Sequence, residues 1–204
     1  MAGTFQDRYG LALSTHSQAA AEQYCAGIDI MLAHNAGAQD ALEAAIGADE
    51  GFALAHITLA RWFQYAGNIP AAQASKTRAL ARLDGVTRRE QQHVQALAQA
   101  VDGNGPQALA LIREHLQDFP RDAFALKQAD GPFGLIGFGG GQDRLEANLA
   151  LLNRVAEAYG EDWWFLSAYA FAHNELGHYT EARRLADRSL ALQPRSGHGA
   201  HTRL

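Results

Sequence analysis

The feature that most constrains this chain is a period of 34 residues. When the segment 38–56 is laid over 72–90, Ala38 falls on Ala72 and the offset stays constant along the match. Apolar residues in both segments recur at spacings of three and four, which is the spacing of one face of an α-helix. The sequence therefore predicts short paired helices that repeat along the chain.

The last complete unit, residues 164–194, shows the same design most clearly. Gly177 lies at the predicted turn between two helices, and Ala182, Ala186 and Pro194 follow at fixed offsets. A 34-residue unit with small residues in its second helix is typical of tetratricopeptide repeats (TPRs), in which each helix pair leaves an apolar face for the next pair to cover. We therefore predict an all-α fold, a right-handed α-α superhelix of tetratricopeptide-like repeats.

The repeat also predicts where the elements and segments lie. Helices are expected at 17–34, 38–48, 52–66, 70–82, 87–101, 106–117, 122–129, 142–159, 162–176 and 179–191. The predicted organisation is an N-terminal extension (1–16), the first three TPR-like helix pairs plus a following helix (17–129), a Gly-rich connector (130–141), a helix plus the last TPR-like pair (142–194) and an incomplete C-terminal segment (195–204).

Composition narrows the class of protein. The 204 residues are 48% hydrophobic and carry a net charge of −5 without a long run of either sign, which excludes an electrostatic surface for nucleic acid. No apolar run approaches the roughly 20 residues that cross a bilayer, and the N-terminus lacks the regions of a signal peptide. We therefore expect a cytoplasmic protein with no nucleic-acid or membrane partner.

The single cysteine, Cys25, is expected to be a packed thiol.

Several phrases of the sequence resemble the tetratricopeptide repeat protein 38 family. They are an Asp-x-x-Gly start at 7–10, a Ser-Thr-x-Ser helix cap at 14–17 and, in the family's order, "AIGADEGFALAH", "TRREQQHVQALAQAVDG", "FPRDAFAL", "GQDRL" and "AFAHNELGHYTEARRLADRSLALQP". Glu50 departs from the family, which usually has a proline there, and the chain ends where members usually continue. The resemblance implies a helical repeat fold in an N-terminal portion or shortened member of the family, and it implies no reaction.

The glycine-rich stretch "GPFGLIGFGGGQDRL", residues 131–145, invites comparison with a phosphate-binding loop. Such a loop follows a strand, whereas the preceding residues show no strand-like alternation, and the glycine spacing matches neither usual nucleotide pattern. Because the stretch lies where the 34-residue period fails, we interpret it as a flexible connector or a pocket-lining loop.

One polar feature interrupts the expected core of the repeats. If the small residue of each second helix is position 20, then position 4 of the first helix carries Glu22, His56 and Glu90, again 34 residues apart. Equivalent positions of stacked repeats lie side by side, and His93 shares a helix face with Glu90 because the two are three residues apart. The sequence therefore predicts a Glu/His ladder, formed by Glu22, His56, Glu90 and His93.

Two interpretations of this ladder remain open. A Glu-x-x-His motif with further carboxylates and imidazoles from neighbouring helices is the donor set of carboxylate-bridged metal centres, so the four residues are candidate metal ligands. The presence of only one such motif favours the alternative, a buried hydrogen-bonded network that fixes the stacking of the repeats.

No cofactor is expected, and no Ser/His/Asp arrangement stands out. His16, His34 and His115 are expected at the surface.

The first helices of such repeats are expected to line a concave groove through their positions 2, 5, 9 and 12. The polar and aromatic residues that the second, third and last units place there are Arg61, Gln64, Arg88, Gln91, Gln95, Trp164, Phe171 and Asn174. Guanidinium, amide and aromatic groups suit an extended peptide or an acidic C-terminus, although arginine and glutamine are also ordinary on a solvated helix face.

These patterns predict a TPR-like interaction scaffold that binds a protein or peptide in its concave groove. The alternative is an enzyme or a small-molecule or metal-binding protein with its site at the Glu/His ladder. A repeat stack that ends without a covering helix exposes the apolar face of its last unit, which also predicts self-association through the C-terminal end.

Overall fold

The computed structural model describes residues 5–203, and helices dominate it. The elements are β1 (Phe5–Gln6), β2 (Ala12–Leu13), α1 (Gln18–Ala33), α2 (Ala38–Ala48), α3 (Ala53–Tyr65), α4 (Ile69–Leu80), α5 (Arg88–Val101), α6 (Gly105–Asp118), α7 (Ala123–Ala129), α8 (Leu135–Phe138), α9 (Arg144–Tyr159), α10 (Trp163–Glu175), α11 (Tyr179–Leu192) and α12 (Gly197–Thr202). Each helix that the sequence predicts is present within two residues of its expected bounds, so the all-α fold is confirmed. No helix in the described part of the chain combines the length and the apolarity that a membrane crossing requires.

The chain divides into two compact units. One unit contains the described chain up to Met31 together with Ala36–Ala125, and the other contains Leu32–Asn35 together with the described chain from Leu126 onward. In the first unit α3 packs on α4 and α5 packs on α6, and in the second unit α10 packs on α11. The chain is therefore a helical repeat protein built from tetratricopeptide-like helix pairs. The five-segment division made from the sequence remains a prediction.

The small residues that define the period lie between the helices of the pairs. Ala38, Ala72, Ala108 and Ala182 are each no more than 3% exposed. An alanine at these positions lets two helix backbones approach closely, and a longer side chain there would force them apart. The recurring alanines that reveal the repeat in the sequence are therefore the residues that allow the paired helices to pack closely.

The N-terminal extension is folded and fastened to α5. Its two strands pair antiparallel, with Phe5 opposite Leu13. The backbone N–H of Ser14 donates to Glu90 Oε1 at 2.7 Å, and Arg89 Nη2 donates to the carbonyl of Ala12 at 2.9 Å. Residues 1–4 of the predicted extension and residue 204 of the predicted C-terminal segment lie outside the described residues.

The C-terminal segment predicted as incomplete forms the short helix α12. Ser196 Oγ accepts a hydrogen bond from Gly199 N at 3.0 Å and so caps its first turn. The helix packs against α10 and α11, and a Cβ atom placed on Gly199 would lie 3.1 Å from a side-chain carbon of Leu190. The small residues of α12 therefore allow it to lie close to the last helix pair.

The glycine-rich stretch forms a tightly built turn that contains α8. Gly131 adopts φ +81, and its N–H donates to Asn148 Oδ1 at 3.2 Å. Added Cβ atoms would lie 2.1 Å from the carbonyl oxygen of Asp130 at Gly134 and 2.3 Å from that of Pro132 at Gly137. Glycine is required here because backbone segments meet at distances that no side chain allows.

Candidate functional site

The carboxylate of Asp122 is the centre of a buried polar cluster in the first unit. Asp122 stands immediately before α7, and its Oδ1 accepts the N–H of Ala125 at 3.2 Å, as helix-capping residues do. Its other oxygen, Oδ2, accepts from Arg89 Nη1 at 2.9 Å. The imidazole nitrogens His93 Nδ1 and His115 Nε2 also approach Oδ2, at 3.0 Å and 3.1 Å. Both helices of the α5–α6 pair and the start of α7 thus converge on one oxygen atom.

Burial determines the charges in this Asp122 cluster. The side chains of Arg89, His93, His115 and Asp122 are all at most 5% exposed. Burial alone would raise the pKa of Asp122, but His93, Arg89 and the hydrogen bonds from both imidazoles hold that pKa well below its usual range. Burial lowers the pKa of His93. The carboxylate is therefore ionised and paired with the guanidinium, as a buried charge must be.

The two histidines of the cluster differ in what their second nitrogens face. His115 Nδ1 lies 3.1 Å from Gln92 Oε1, so both ring nitrogens of His115 face oxygen atoms. His93 Nε2 has no hydrogen-bond partner among residues 5–203, although its ring stacks on Phe124 with centroids 6.2 Å apart. His93 therefore carries an unused buried nitrogen, which is rare in a folded protein.

The cluster is also a possible ligand set. In the described part of the chain, one group of three or more His, Cys, Asp or Glu side chains brings its ligand atoms within 4.8 Å of one another, and it consists of His93, His115 and Asp122. Two imidazoles and one carboxylate form a known donor set for divalent transition metals.

The structure does not assemble the predicted Glu/His ladder. Glu22 is exposed, and its Oε1 accepts from Gln18 Nε2 at 2.7 Å on the same helix. His56 is buried, but its Nε2 lies 2.9 Å from the carbonyl oxygen of Glu50. Glu22 and His56 are thus each hydrogen-bonded to a residue at most six positions away, and neither belongs to the group of ligand atoms that the described structure brings together.

Glu90, the third member of the ladder, caps α5. The Glu90 carboxylate accepts from the backbone N–H of Thr87 at 2.9 Å while Thr87 Oγ1 accepts from Glu90 N, which is a capping box. The same carboxylate accepts from Ser14. Its oxygen atoms are therefore used in fastening the start of α5 and the N-terminal segment. His93 alone, of the four predicted ligands, belongs to the Asp122 cluster.

Sequence reasoning missed three members of the cluster, Arg89, His115 and Asp122. His115 was expected at the surface but is 1% exposed, because it faces inward from α6 toward α5. Asp122 was not singled out, although an aspartate after "FPR" and before a helix is a capping signal. That signal predicts the helix cap formed by Asp122 Oδ1. It does not predict that side-chain nitrogens of Arg89, His93 and His115 meet at Oδ2.

Three of the predicted groove residues do not present free side chains to a ligand. Arg61 is buried and donates to Tyr65 OH at 3.1 Å, and Gln64 Nε2 donates to the carbonyl oxygen of Ala100 at 3.1 Å. Trp164 is 1% exposed and packs edge-on to Tyr159. These three residues therefore do not line an open groove as predicted: Arg61 is hydrogen-bonded within α3, and Gln64 and Trp164 contact neighbouring helices.

The groove residues of α5 are exposed. Arg88, Gln91 and Gln95 lie on the side of α5 that faces away from Glu90 and His93, and all three are open to solvent. Arg88 Nη2 lies 2.5 Å from Asp118 Oδ2, and both of these side chains remain largely exposed. We call Arg88, Gln91 and Gln95 the α5 stripe.

In the second unit, α12 covers part of the predicted groove face of α10. Phe171 is half-buried, and its ring lies 6.2 Å from the rings of both His198 and His201. Asn174, one turn further along α10, is exposed. Phe171 therefore contributes to the docking of α12, while Asn174 remains open to solvent.

A Ser–His pair that the sequence did not reveal joins α10 to α12. Ser167 Oγ and His198 Nδ1 are hydrogen-bonded, but Ser167 is fully buried. Burial and the neighbouring His34 and Lys127 lower the pKa of His198 to about 3. Burial of Ser167 removes the access that a catalytic nucleophile needs, so this pair is a packing contact of α12.

Comparisons with known proteins add little to this description. No family model matches the chain. One similar solved structure is that of YrrB, described as a TPR protein with an unusual peptide-binding site; it is 15% identical, and the match covers 88% of this chain and 89% of that chain with a TM-score of 0.45. The function is therefore inferred from the side chains of this chain itself.

Proposed function

We propose that this protein is an interaction scaffold that binds an acidic peptide segment of a partner protein on the α5 stripe. The observation that carries the proposal is that α5 is held rigidly on one face and exposed on the other. Residues three, four and seven apart share a helix face, so Arg88, Gln91 and Gln95 form one continuous polar surface.

The chemistry of the α5 stripe suits a peptide. A glutamine amide both donates and accepts hydrogen bonds, which matches the N–H and C=O groups of an extended backbone. Arg88 adds a guanidinium that can bind a carboxylate through two parallel hydrogen bonds. Its exposed ion pair with Asp118 is worth only about 0–1 kcal/mol, so a peptide carboxylate can replace it at little cost.

Rigid presentation of the stripe supports the same proposal. On the inward side of α5, Arg89 and His93 bind Asp122, and Glu90 completes the capping box. A helix that is fixed before binding loses little conformational entropy when a ligand docks on it. The buried cluster thereby supports the exposed stripe.

The test is peptide binding by charge-matched variants. A pool of peptides that end in one or two acidic residues is screened against the intact protein, and the affinities of the retained peptides are measured for Arg88→Glu, Gln91→Ala and Gln95→Ala. We expect Arg88→Glu to weaken binding at least about tenfold, equivalent to about 1.4 kcal/mol. Arg113→Glu, on the exposed side of α6, is the control with the same charge change and should bind as the unmodified protein does.

Two results would contradict the proposal. One is equal affinity of Arg88→Glu and Arg113→Glu for the retained peptides. The other is that no peptide of the pool is retained above the level of a pool with amidated, neutral ends.

We also propose membership of the tetratricopeptide repeat protein 38 family. The support is the order of the family-like phrases along the sequence, from "AIGADEGFALAH" to "AFAHNELGHYTEARRLADRSLALQP". The resemblance supplies no reaction, so it neither adds to nor conflicts with a role as a scaffold. Residence in the cytoplasm and self-association through the C-terminal end remain predictions.

A further inference from the structure

We propose that His93, His115 and Asp122 form a binding site for one divalent transition-metal ion of the Zn²⁺ type. This site lies inside the first unit, on the side of α5 opposite the α5 stripe. Its ligands would be His93 Nδ1, His115 Nε2 and Asp122 Oδ2, which already point toward one another.

The spacing of these three atoms suits a single ion. Asp122 Oδ2 lies 3.0 Å from His93 Nδ1 and 3.1 Å from His115 Nε2. Neighbouring ligands of an ion with bonds of about 2.0–2.1 Å are roughly 3.3 Å apart in a tetrahedral site, close to both of these distances. The ligand atoms of all three side chains lie within 4.8 Å of one another. All three ligand atoms come from different elements, which is typical of metal sites between helices.

The surroundings of His115 give the second argument. Its Nδ1 faces Gln92 Oε1 and its Nε2 faces Asp122 Oδ2, so each ring nitrogen is directed at an oxygen atom. A neutral imidazole has one N–H. In the tautomer whose Nδ1–H donates to Gln92, the Nε2 lone pair faces Asp122 Oδ2 and would bind an ion placed between these two atoms. Gln92 would then orient the ligand as outer partners of metal-bound histidines do.

His93 can adapt to the same ion. Its Nδ1 is hydrogen-bonded to Asp122 Oδ2 at 3.0 Å, and no group in the described chain binds its Nε2. When the ion binds, the ring proton would move to Nε2, and Nδ1 would offer its lone pair to the ion. Arg89 is held separately through Nη2 by the carbonyl of Ala12, and a carboxylate oxygen can accept from a guanidinium while it binds a metal.

The experiment measures metal binding by the 204-residue protein after removal of bound metal with EDTA. Co²⁺ is titrated as a spectroscopic probe, and Zn²⁺ affinity is obtained by competition and by equilibrium dialysis. We expect one equivalent to bind, with visible absorption of Co²⁺ in a site with nitrogen ligands. His115→Gln should weaken binding more than about 100-fold, and Gln92→Ala about 10- to 100-fold.

Two controls separate this site from other histidines and from folding. His16→Gln changes an exposed histidine in the same unit and should leave Co²⁺ binding unchanged. Arg89→Gln removes a positive charge beside the ion, so it should bind Co²⁺ more tightly than the unmodified protein, and its lowered melting temperature should rise when Zn²⁺ is added. Far-UV circular dichroism checks that each variant is folded.

The proposal is wrong if the unmodified protein, refolded with excess Co²⁺ or Zn²⁺, retains no stoichiometric ion. It is also wrong if His115→Gln and His16→Gln bind Co²⁺ equally, or if added Zn²⁺ fails to raise the melting temperature of Arg89→Gln. Any of these results would leave the cluster as an ion pair with two hydrogen-bonded imidazoles.

Discussion

Arg89 and Asp122 form an ion pair in the interior of the first unit, with Nη1 and Oδ2 2.9 Å apart and side chains 5% and 3% exposed. Arg89 comes from the first turn of α5, and Asp122 stands before α7, 33 residues later. Because two imidazoles approach the same carboxylate oxygen, the pair joins α5 and α6 to the start of α7. Its energy therefore contributes to the relative position of these helices.

Asp122→Asn should lower the free energy of unfolding by about 3–5 kcal/mol, because it leaves the Arg89 guanidinium buried without a counter-charge. Urea denaturation followed by circular dichroism measures the change. Asp118→Asn is the control, since it removes an exposed partner of Arg88 and should cost less than about 1 kcal/mol. Equal effects of the two substitutions would show that the buried pair is not a major contribution to stability.

Ser14→Ala should loosen the N-terminal segment. The substitution removes the hydroxyl that donates to Glu90 and keeps the backbone hydrogen bond, so we expect a loss of about 1 kcal/mol in stability. Hydrogen exchange should become faster at the backbone amides of residues 7–16. Thr180→Ala, at an exposed position of α11, is a control expected to leave exchange in that segment unchanged. Unaltered exchange in Ser14→Ala would contradict the fastening of the segment by Glu90.

Asp130 should make stability depend on pH. Burial raises the pKa of this carboxyl to about 6, although Asn148 Nδ2 donates to it at 3.0 Å and Lys127 is near. A folded-state pKa above the ordinary 3.8 means that the folded protein binds the proton more tightly. The resulting stabilisation is complete below pH 3.8 and is lost as the pH rises through about 6.

Asp130→Asn provides the measurement of this effect. The amide stays neutral and keeps an oxygen for Asn148, so the variant should be more stable than the unmodified protein at pH 8, by about 1–3 kcal/mol. At pH 4 the difference should nearly vanish. The melting temperatures of both proteins, recorded from pH 4 to pH 8, test this prediction. If the melting temperatures differ by the same amount at every pH, Asp130 does not titrate in this range.

Gly137→Ala should be strongly destabilising. Its Cβ atom would lie 2.3 Å from the carbonyl oxygen of Pro132, so the turn around α8 would have to open. We expect a loss of about 2 kcal/mol or more and a change in the environment of Phe133 and Phe138. Gly47→Ala, in α2 with open space around the added atom, should instead be neutral or stabilising by about 0.5–1 kcal/mol. Thermal unfolding of both variants tests the contrast, and equal melting temperatures would show that the turn tolerates a side chain.

The repeat pattern was sufficient to locate the helices. Alanines recur at the same place in each helix pair, 34 residues apart from Ala38 to Ala72, because two helix backbones must approach there. This requirement is local, so the sequence pattern alone reveals it. Polar positions follow no such rule. Glu22, His56 and Glu90 share a period, yet each binds a nearby group of its own.

By itself, the sequence determined the fold class, the bounds of the paired helices and the exposed polar face of α5, because these follow from periodicity and from local helix geometry. The tertiary structure decided which polar side chains meet. It brought His93, His115 and Asp122 together from two helices and a loop, and it directed Arg61 and Trp164 into the interior. Such contacts depend on how helices pack in three dimensions and on which partner each buried polar group finds, and no spacing along the chain encodes that choice.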